Sequence, residues 1–320
     1  MKLNEMKFID LFAGIGGFRY ALESFGCKCV FSSEWDKYCQ ESYQLNFNDI
    51  PFGDITKVDE KEIPQFDILC GGFPCQPFSV SGKQKGFSDT RGTLFFDIVR
   101  IVSYHKPKII FLENVKNLKA HNDGATFTII SNVLNELNYN IYYKVLNAKD
   151  FGLPQNRERI TIVCIRKDID NGKFKFPHAT NEFLTISDIK EEDIKTKMYV
   201  LNRNDIHIDK LKLENAIKNG KVNKPLQIGV IGKGGQGNRI YHENGIGITL
   251  AASSGGAASK TGAYYINGRI RKLSPREAAR LQGFPESFLI IDNENQSLKQ
   301  FGNSVPINLL KAVFKGLEEL

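Results

Sequence analysis

The 320-residue chain has one tryptophan and six cysteines, Cys27, Cys29, Cys39, Cys70, Cys75 and Cys164, and no two of them stand in a Cys-x-x-Cys pair. Six thiols do not make a disulfide framework in a chain this long, and without the paired spacing they do not make a zinc site. Reduced thiols in a cytosol follow. No apolar run approaches the roughly eighteen residues that a membrane-crossing helix needs. The N-terminus MKLNEMKFIDLF lacks the apolar stretch and small-residue cleavage site of a signal peptide. The expectation is a cytoplasmic protein with no membrane partner. Acid is scarce in one place only: residues 215–276 hold ten Lys or Arg against the single acid Glu243, a local charge of +9 against +7 for the whole chain, so the rest sums to about −2. A near-neutral body carrying one basic segment points to a polyanionic partner, although a solvated basic face would have the same composition.

From residue 7 to about 168, apolar β-branched runs such as KFIDLFA, CVFSS, FDILC, KPKIIFLENV and ERITIVCIR alternate with helical patterns. Short apolar strands between amphipathic helices indicate βα repeats and a largely parallel, doubly wound α/β sheet. Between about 187 and 270 the pattern changes to short strands, with twelve glycines in residues 215–276. This reads as a small β-rich module. Ser274, Pro275 and Glu277 then form a capping box with proline at the first helical position. The closing INLLKAVFKGLEEL is an amphipathic helix able to return to the first domain.

Asp10-Leu-Phe-Ala-Gly-Ile-Gly-Gly-Phe18 joins the first strand to the first helix. Glycines there permit a tight turn and let a ligand press on backbone N–H groups, although a plain turn has the same look. At the end of the second strand stand Glu34 and Trp35. The carboxylate can accept from ribose hydroxyls and the indole can lie on an adenine face; a surface acid beside a core tryptophan is the other reading. Asp54, placed where a third strand should end, can accept from an adenine amino group. The full G-x-G-x-x-G spacing of a dinucleotide site is missing.

After FDILC comes Gly71-Gly-Phe-Pro-Cys-Gln-Pro-Phe-Ser79, a rigid frame of glycines and prolines that presents Cys75 at the carboxyl end of a strand. The other five cysteines lie in apolar or helical contexts and read as packing residues. Glu113-Asn114 follows the next strand and reaches the same edge of the sheet. Arg157 and Arg159, in QNRER, alternate before the strand ERITIVCIR and would point one way, toward a phosphate or a base carbonyl; a surface salt-bridge pair is the alternative.

In order and at the matching spacing, DLFAGIGGF, EW, GDIT, GGFPCQPFS, GTLFFDIVRIV, ENV, QNRERI, RKLSPREAARLQGFP and QFGNSVP resemble the motif series of the C5-cytosine DNA methyltransferases. The chain is especially similar to the small bacterial restriction-modification enzymes of the Hha type. The resemblance covers essentially the whole chain, including GKGGQGNRIY in the variable region. It implies a Rossmann-like methyltransferase domain with a smaller β-rich target-recognition domain. The catalytic domain would span 1–186 plus 297–320, the recognition domain 187–269, and a hinge 270–296.

The resemblance assigns roles residue by residue. Cys75 is the nucleophile that adds to C6; Glu113 holds or donates a proton at N3; Arg159 binds the O2 carbonyl; Arg157, with Gln155, supports the loop. The cofactor is S-adenosylmethionine, converted to S-adenosylhomocysteine, with no metal. Its residues are Phe12, Gly14, Gly16, Glu34, Trp35, Asp54, Ile55, Pro74, Leu94, Asn303 and Ser304. The partner is double-stranded DNA, contacted by Ser79, Ser81, Lys83, Gln236, Arg239, Ser253, Ser254 and Gly255. Ser81-Gly-Lys83 would close over the DNA and Gln236 would fill the space left by a flipped base, although both loops also read simply as mobile glycine-rich segments. A monomer is implied, with a cognate restriction endonuclease as a system partner. A free thiol is only a few per cent ionised near pH 7, so the site must help form the thiolate. A stacked base is out of reach, so the cytosine must leave the duplex.

Three other activities fit the chain less well. Methylation of an exocyclic amine calls for a Pro-Pro-aromatic motif, and the chain has no Pro-Pro. A tRNA cytosine methyltransferase would share the nucleophile frame but not the long basic glycine-rich segment between QNRERI and RKLSPRE. A catalytically silent DNA-binding protein would not need every motif residue. The target reads as GCGC or another GC-centred tetranucleotide, with Arg239 suited to guanine. Ser253 and Ser254 replace the tyrosine and one glycine of the nearest pattern, which leaves the flanking pairs open.

Overall fold

A computed structural model describes residues 2–73, 94–180, 182–235, 237–253 and 255–318. The chain packs as two units. One comprises Met1–Leu146, Glu158–Pro177 and Lys311–Leu320, the other Asn147–Arg157 and His178–Leu310.

The first unit is built on β1 (Lys7–Leu11), α1 (Gly17–Glu23), β2 (Lys28–Ser33), α2 (Lys37–Phe47), β3 (Ile68–Gly72), α3 (Leu94–His105), β4 (Ile109–Val115), α4 (Ala125–Glu136), β5 (Tyr139–Asn147) and β6 (Glu158–Arg166). The six strands form one sheet in the order β2-β1-β3-β4-β6-β5. β1 pairs in parallel with β2 and β3, and β3 with β4, whereas β6 is antiparallel to β4. Residues 148–157 are too few for the crossover that a parallel return requires, so the sheet is mixed at this side.

Alternation along each strand sends Ile9, Leu11, Leu69, Ile110, Leu112, Ile160 and Ile162 into one apolar layer with Phe95, Ile98 and Val102 of α3 and Phe127, Ile130 and Leu134 of α4. On the other face, Phe111 stacks obliquely against Phe314 at 4.7 Å and edge-on to Phe18 of α1 at 5.5 Å. The C-terminal helix therefore does return to the first sheet. Helices on both faces and strands that are mostly parallel make a Rossmann-like layer structure.

The second unit contains α5 (Ile186–Ile189), α6 (Asp193–Thr196), β7 (Ile206–Ile208), α7 (Lys210–Lys218), β8 (Gln227–Ile231), β9 (Arg239–His242), β10 (Ala263–Ile266), β11 (Arg269–Lys272), α8 (Pro275–Gln282), α9 (Glu294–Asn303) and the start of α10 (Ile307–Glu318). Its five-stranded sheet runs β11-β10-β9-β8-β7 over a small core of Ile228, Ile231, Ile240, Ala258 and Ala263.

The capping box of α8 is present: Ser274 Oγ accepts from Glu277 N–H, and Glu277 accepts in return from Ser274 N–H. Glu277 also takes a forked pair from Arg271 of β11, at 2.7 and 2.6 Å, with both side chains essentially inaccessible to water. A local cap and a buried ion pair thus share one carboxylate.

One expected strand is not formed. Phe52 makes only an isolated parallel bridge to Ser33, and Asp54 caps the single 3-10 turn Ile55–Lys57 instead of ending a strand. Five residues from Ile50 to Asp54 that include Pro51 and Gly53 cannot sustain a ladder.

Candidate active site

In the first unit the loop after β1 is shaped by backbone. Phe12 has φ 57°, a left-handed conformation that costs a non-glycine residue about 1–3 kcal/mol and gathers at functional loops. Gly14 is also left-handed, with open space where a Cβ would stand. At Gly16, the N-cap of α1, a Cβ would lie 2.3 Å from the Phe47 ring, so only glycine fits.

Glu34 follows β2 directly. Its Oε2 accepts from Gly14 N–H and its Oε1 from Asp36 N–H, each at 2.8 Å. Burial pushes its carboxyl above the ordinary range while those two N–H groups hold it down. Trp35 beside it is 80 % exposed. The surface-acid, core-tryptophan alternative is therefore reversed: the acid is inside, and a bare indole face is outside.

Asp54 commits Oδ1 to the N–H and hydroxyl of Thr56, which hold its carboxyl below the usual range. Ile55 is buried, and Leu94 opens α3 half-buried. Under the loop, Asp10 of β1 is wholly buried, and neither oxygen makes a hydrogen bond of ordinary geometry. Burial pushes its carboxyl well up, while Arg19, which bonds Asp49 and Glu23 at 2.7 Å, lies on the side that favours ionisation.

At the carboxyl end of β3, Gly72 stands in register with Glu113 of β4. Across the antiparallel ladder, Arg159 of β6 places Nε 3.1 Å from Glu113 Oε1, both side chains being largely buried. The pair is not a surface salt bridge. Glu113 and Asn114 lie inside β4 rather than after it. Asn114 Nδ2 donates to Phe73 O at 2.8 Å in a buried site, and its Oδ1 accepts from Val115 N–H.

Phe73 is the last described residue before Pro74 and Cys75. Pro74, Cys75, Ser79, Ser81 and Lys83 lie outside the described residues, as do Gln236 and Ser254. Burial raises the thiols of four of the other cysteines, Cys27 to about 11 and Cys29 to about 12, with Cys70 and Cys164 also pushed up, as suits packing residues. Cys39 is half-buried on α2.

In the second unit, Arg157 precedes β6, so strand alternation does not govern it. Its guanidinium is buried and donates to the carbonyls of Leu250, Gly302 and Ser304, at 3.3, 3.1 and 2.6 Å. It is not turned toward a phosphate or a base. Gln155 accepts from Leu250 N–H and donates to Leu281 O. Asn303 ends α9 exposed, and Ser304 is its buried C-cap.

Arg239 begins β9, exposed, and lines a cleft of about 260 Å³ with Asn156, Gly237, Tyr241, Ile248 and Thr249. Ser253 and Gly255 are both exposed. The two glycine-rich loops touch backbone to backbone: a Cβ on Gly237 would fall 2.1 Å from Gly255 O, and Ala258 N–H donates to Gly237 O at 3.0 Å.

The model of the C-5 cytosine-specific DNA methylases matches residues 6–319. The chain belongs to that family. It is 51 % identical over 312 residues to the Type II methyltransferase M.HhaI of Haemophilus parahaemolyticus, covering 98 % of this chain and 94 % of that protein. It is 44 % identical over 328 residues to the Type II methyltransferase M.HpaII of Haemophilus parainfluenzae, with 98 % and 89 % covered. The solved Dnmt2 methyltransferase of S. pombe superposes at a TM-score of 0.73 with 98 % of each chain covered and 18 % identity, a likeness of fold.

The structure brings Glu113 and Arg159 together beside the chain that leads to Cys75. Membership of a methyltransferase family also implies S-adenosylmethionine as the methyl source. The clamp of Asn114 on Phe73 O is the residue role that sequence reading misses. Its only signal is an amide directly after a site carboxylate. No helix among the described residues is long and apolar enough to cross a membrane.

Proposed function

We propose that the protein is the modification methyltransferase of a type II restriction-modification system, acting on a cytosine flipped out of a short duplex site, GCGC or another GC-centred tetranucleotide. The observation that carries this reading is the Arg159–Glu113 pair standing in register with Gly72, three residues before Cys75.

S-adenosylmethionine supplies an electrophilic sulfonium methyl. The described residues suit it: Glu34 has lone pairs left for ribose hydroxyls, the Trp35 indole lies bare for an adenine, and the loop at Gly14 has room for a ligand against backbone. Phe12, Gly16, Asp54, Ile55, Pro74, Leu94, Asn303 and Ser304 complete the set by the motif match.

Cys75 sulfur adds to C6, the released pair makes C5 nucleophilic, and Glu113 at N3 with Arg159 at O2 stabilises the charge that spreads onto the ring. C5 would take the methyl as its bond to the sulfonium sulfur breaks, the pair staying on that sulfur to leave S-adenosylhomocysteine; a solvent base then takes the C5 proton, the C5–H pair re-forms the C5–C6 double bond and the C6–S pair returns to Cys75 as thiolate. Extruding the base costs a few kcal/mol, which the reading loops around Arg239, Ser253 and Gly255 must offset, together with Gln236, Ser254, Ser79, Ser81 and Lys83. In this reading residues 187–269 form the recognition domain and 270–296 its hinge. The enzyme works as a cytosolic monomer, calls on no metal, and has its endonuclease as a system partner.

Methyl incorporation into duplex DNA, with bisulfite sequencing of a plasmid carrying the gene, identifies the site; incorporation into tRNA instead overturns the reading. Cys75→Ser should abolish transfer, and duplexes with 5-fluorocytosine should be trapped covalently. Appreciable turnover by the variant removes the proposed nucleophile.

A further inference from the structure

The segment 250–262 carries part of the proposed reading surface, and Asn303-Ser304 part of the proposed cofactor set. Within the second unit these two are fastened to each other by neighbours outside both. Leu250 gives its N–H to Gln155 and its carbonyl to Arg157, whose other donor goes to Gly302 O and Ser304 O. Gly302 lies so close to the chain of segment 250–262 that a Cβ there would come within 2.5 Å of Ala251 carbonyl carbon. The base of the segment is closed by Ala251 N–H to Lys260 O at 2.9 Å. Lys260 Nζ in turn donates to Asn295 O and Oδ1, at 2.7 and 2.6 Å, near the start of α9. The reading segment is thus tied to α9 at both of the helix's ends.

We propose that Arg157 is a positioning residue that couples cofactor binding at Asn303-Ser304 to DNA reading by residues 250–262, with α9 as the strut between them. The inference rests on the functional reading above. A guanidinium suits the task because its rigid fork can hold carbonyls from two segments at fixed spacing, which a single ammonium cannot. A shift of Ser304 on cofactor binding must then move or strain Leu250. By linkage, DNA must tighten cofactor binding by the same factor.

The test is the affinity of the full chain for a cognate duplex, by fluorescence anisotropy, with and without saturating S-adenosylhomocysteine, and the converse titration. Wild type should show tightening by a factor in the usual range of about 5–150. Arg157→Lys should bring that factor to within about twofold of unity, and Lys260→Met should reduce it at least about threefold, in proteins whose unfolding temperature shows them folded. A general loss of packing would weaken each affinity without changing their ratio. If Arg157→Lys does not fold, Lys260→Met carries the decision alone. A wild type that binds both ligands independently, or variants that keep its full factor, overturn the coupling and leave the enzyme assignment standing. A wild type that binds neither ligand overturns the functional reading and the coupling with it.

Discussion

Asn114→Asp isolates one atom of the site. It replaces the Nδ2 that donates to Phe73 O at 2.8 Å and keeps an oxygen able to accept from Val115 N–H. An orphaned buried carbonyl costs about 1–3 kcal/mol, and each 1.36 kcal/mol is tenfold in a rate, so the loss spans about 5- to 150-fold. Because Phe73 leads straight into Pro74 and Cys75, the loss should fall on how the thiol is presented. In single-turnover transfer of labelled methyl to duplex DNA, the rate should drop by about 5- to 150-fold while the cofactor and DNA concentrations that give half the maximal rate stay within about threefold. A buried aspartate has a raised pKa and, once protonated, becomes a donor again. The deficit relative to wild type should therefore shrink as pH falls from about 8 to about 6. A variant with wild-type kcat, or one whose deficit ignores pH and tracks only a lowered unfolding temperature, refutes the positioning role.

Other expectations follow from the same geometry. Arg271→Met strands the Glu277 carboxylate, which has at most 2 % exposure around it, and should cost about 3–5 kcal/mol in denaturant unfolding; a cost under about 1 kcal/mol would mean that the pair is dispensable. Asp10 has a folded pKa well above its unfolded value. The stability it confers is complete below about pH 4 and is lost as pH rises through the folded value. Asp10→Asn should flatten that decline between mildly acidic and alkaline pH, and an unchanged slope would assign the decline elsewhere. Gly237→Ala adds a Cβ 2.1 Å from Gly255 O at a left-handed position. It should weaken cognate-duplex binding while leaving S-adenosylhomocysteine affinity intact, and equal loss of both would deny the two loops a reading role.

Much of the site was legible because its signals are local. Glycines at 14 and 16 announce a turn that L side chains resist, and both adopt positive φ. Glu34 and Trp35 follow an apolar strand, and the strand ends where they begin. The Ser274–Glu277 box needs only a spacing of three, and it forms as read. Two local readings failed for physical reasons. Asp54 caps a turn because proline and glycine interrupt the strand before it. Arg157 departs from the direction of Arg159 because it stands one residue outside the ladder.

Local residue patterns are enough to establish the family, the order of βα units and the class of reaction, since each of these is written in residue types a few positions apart. Tertiary structure alone decided which partners those residues keep. Arg157 finds carbonyls 93 to 147 residues away, Arg159 meets Glu113 only because β6 runs antiparallel to β4, and Asp10 is isolated by the strands on either side of it. Such contacts depend on where the chain returns after long excursions, and periodicity along a strand or helix carries no record of that return.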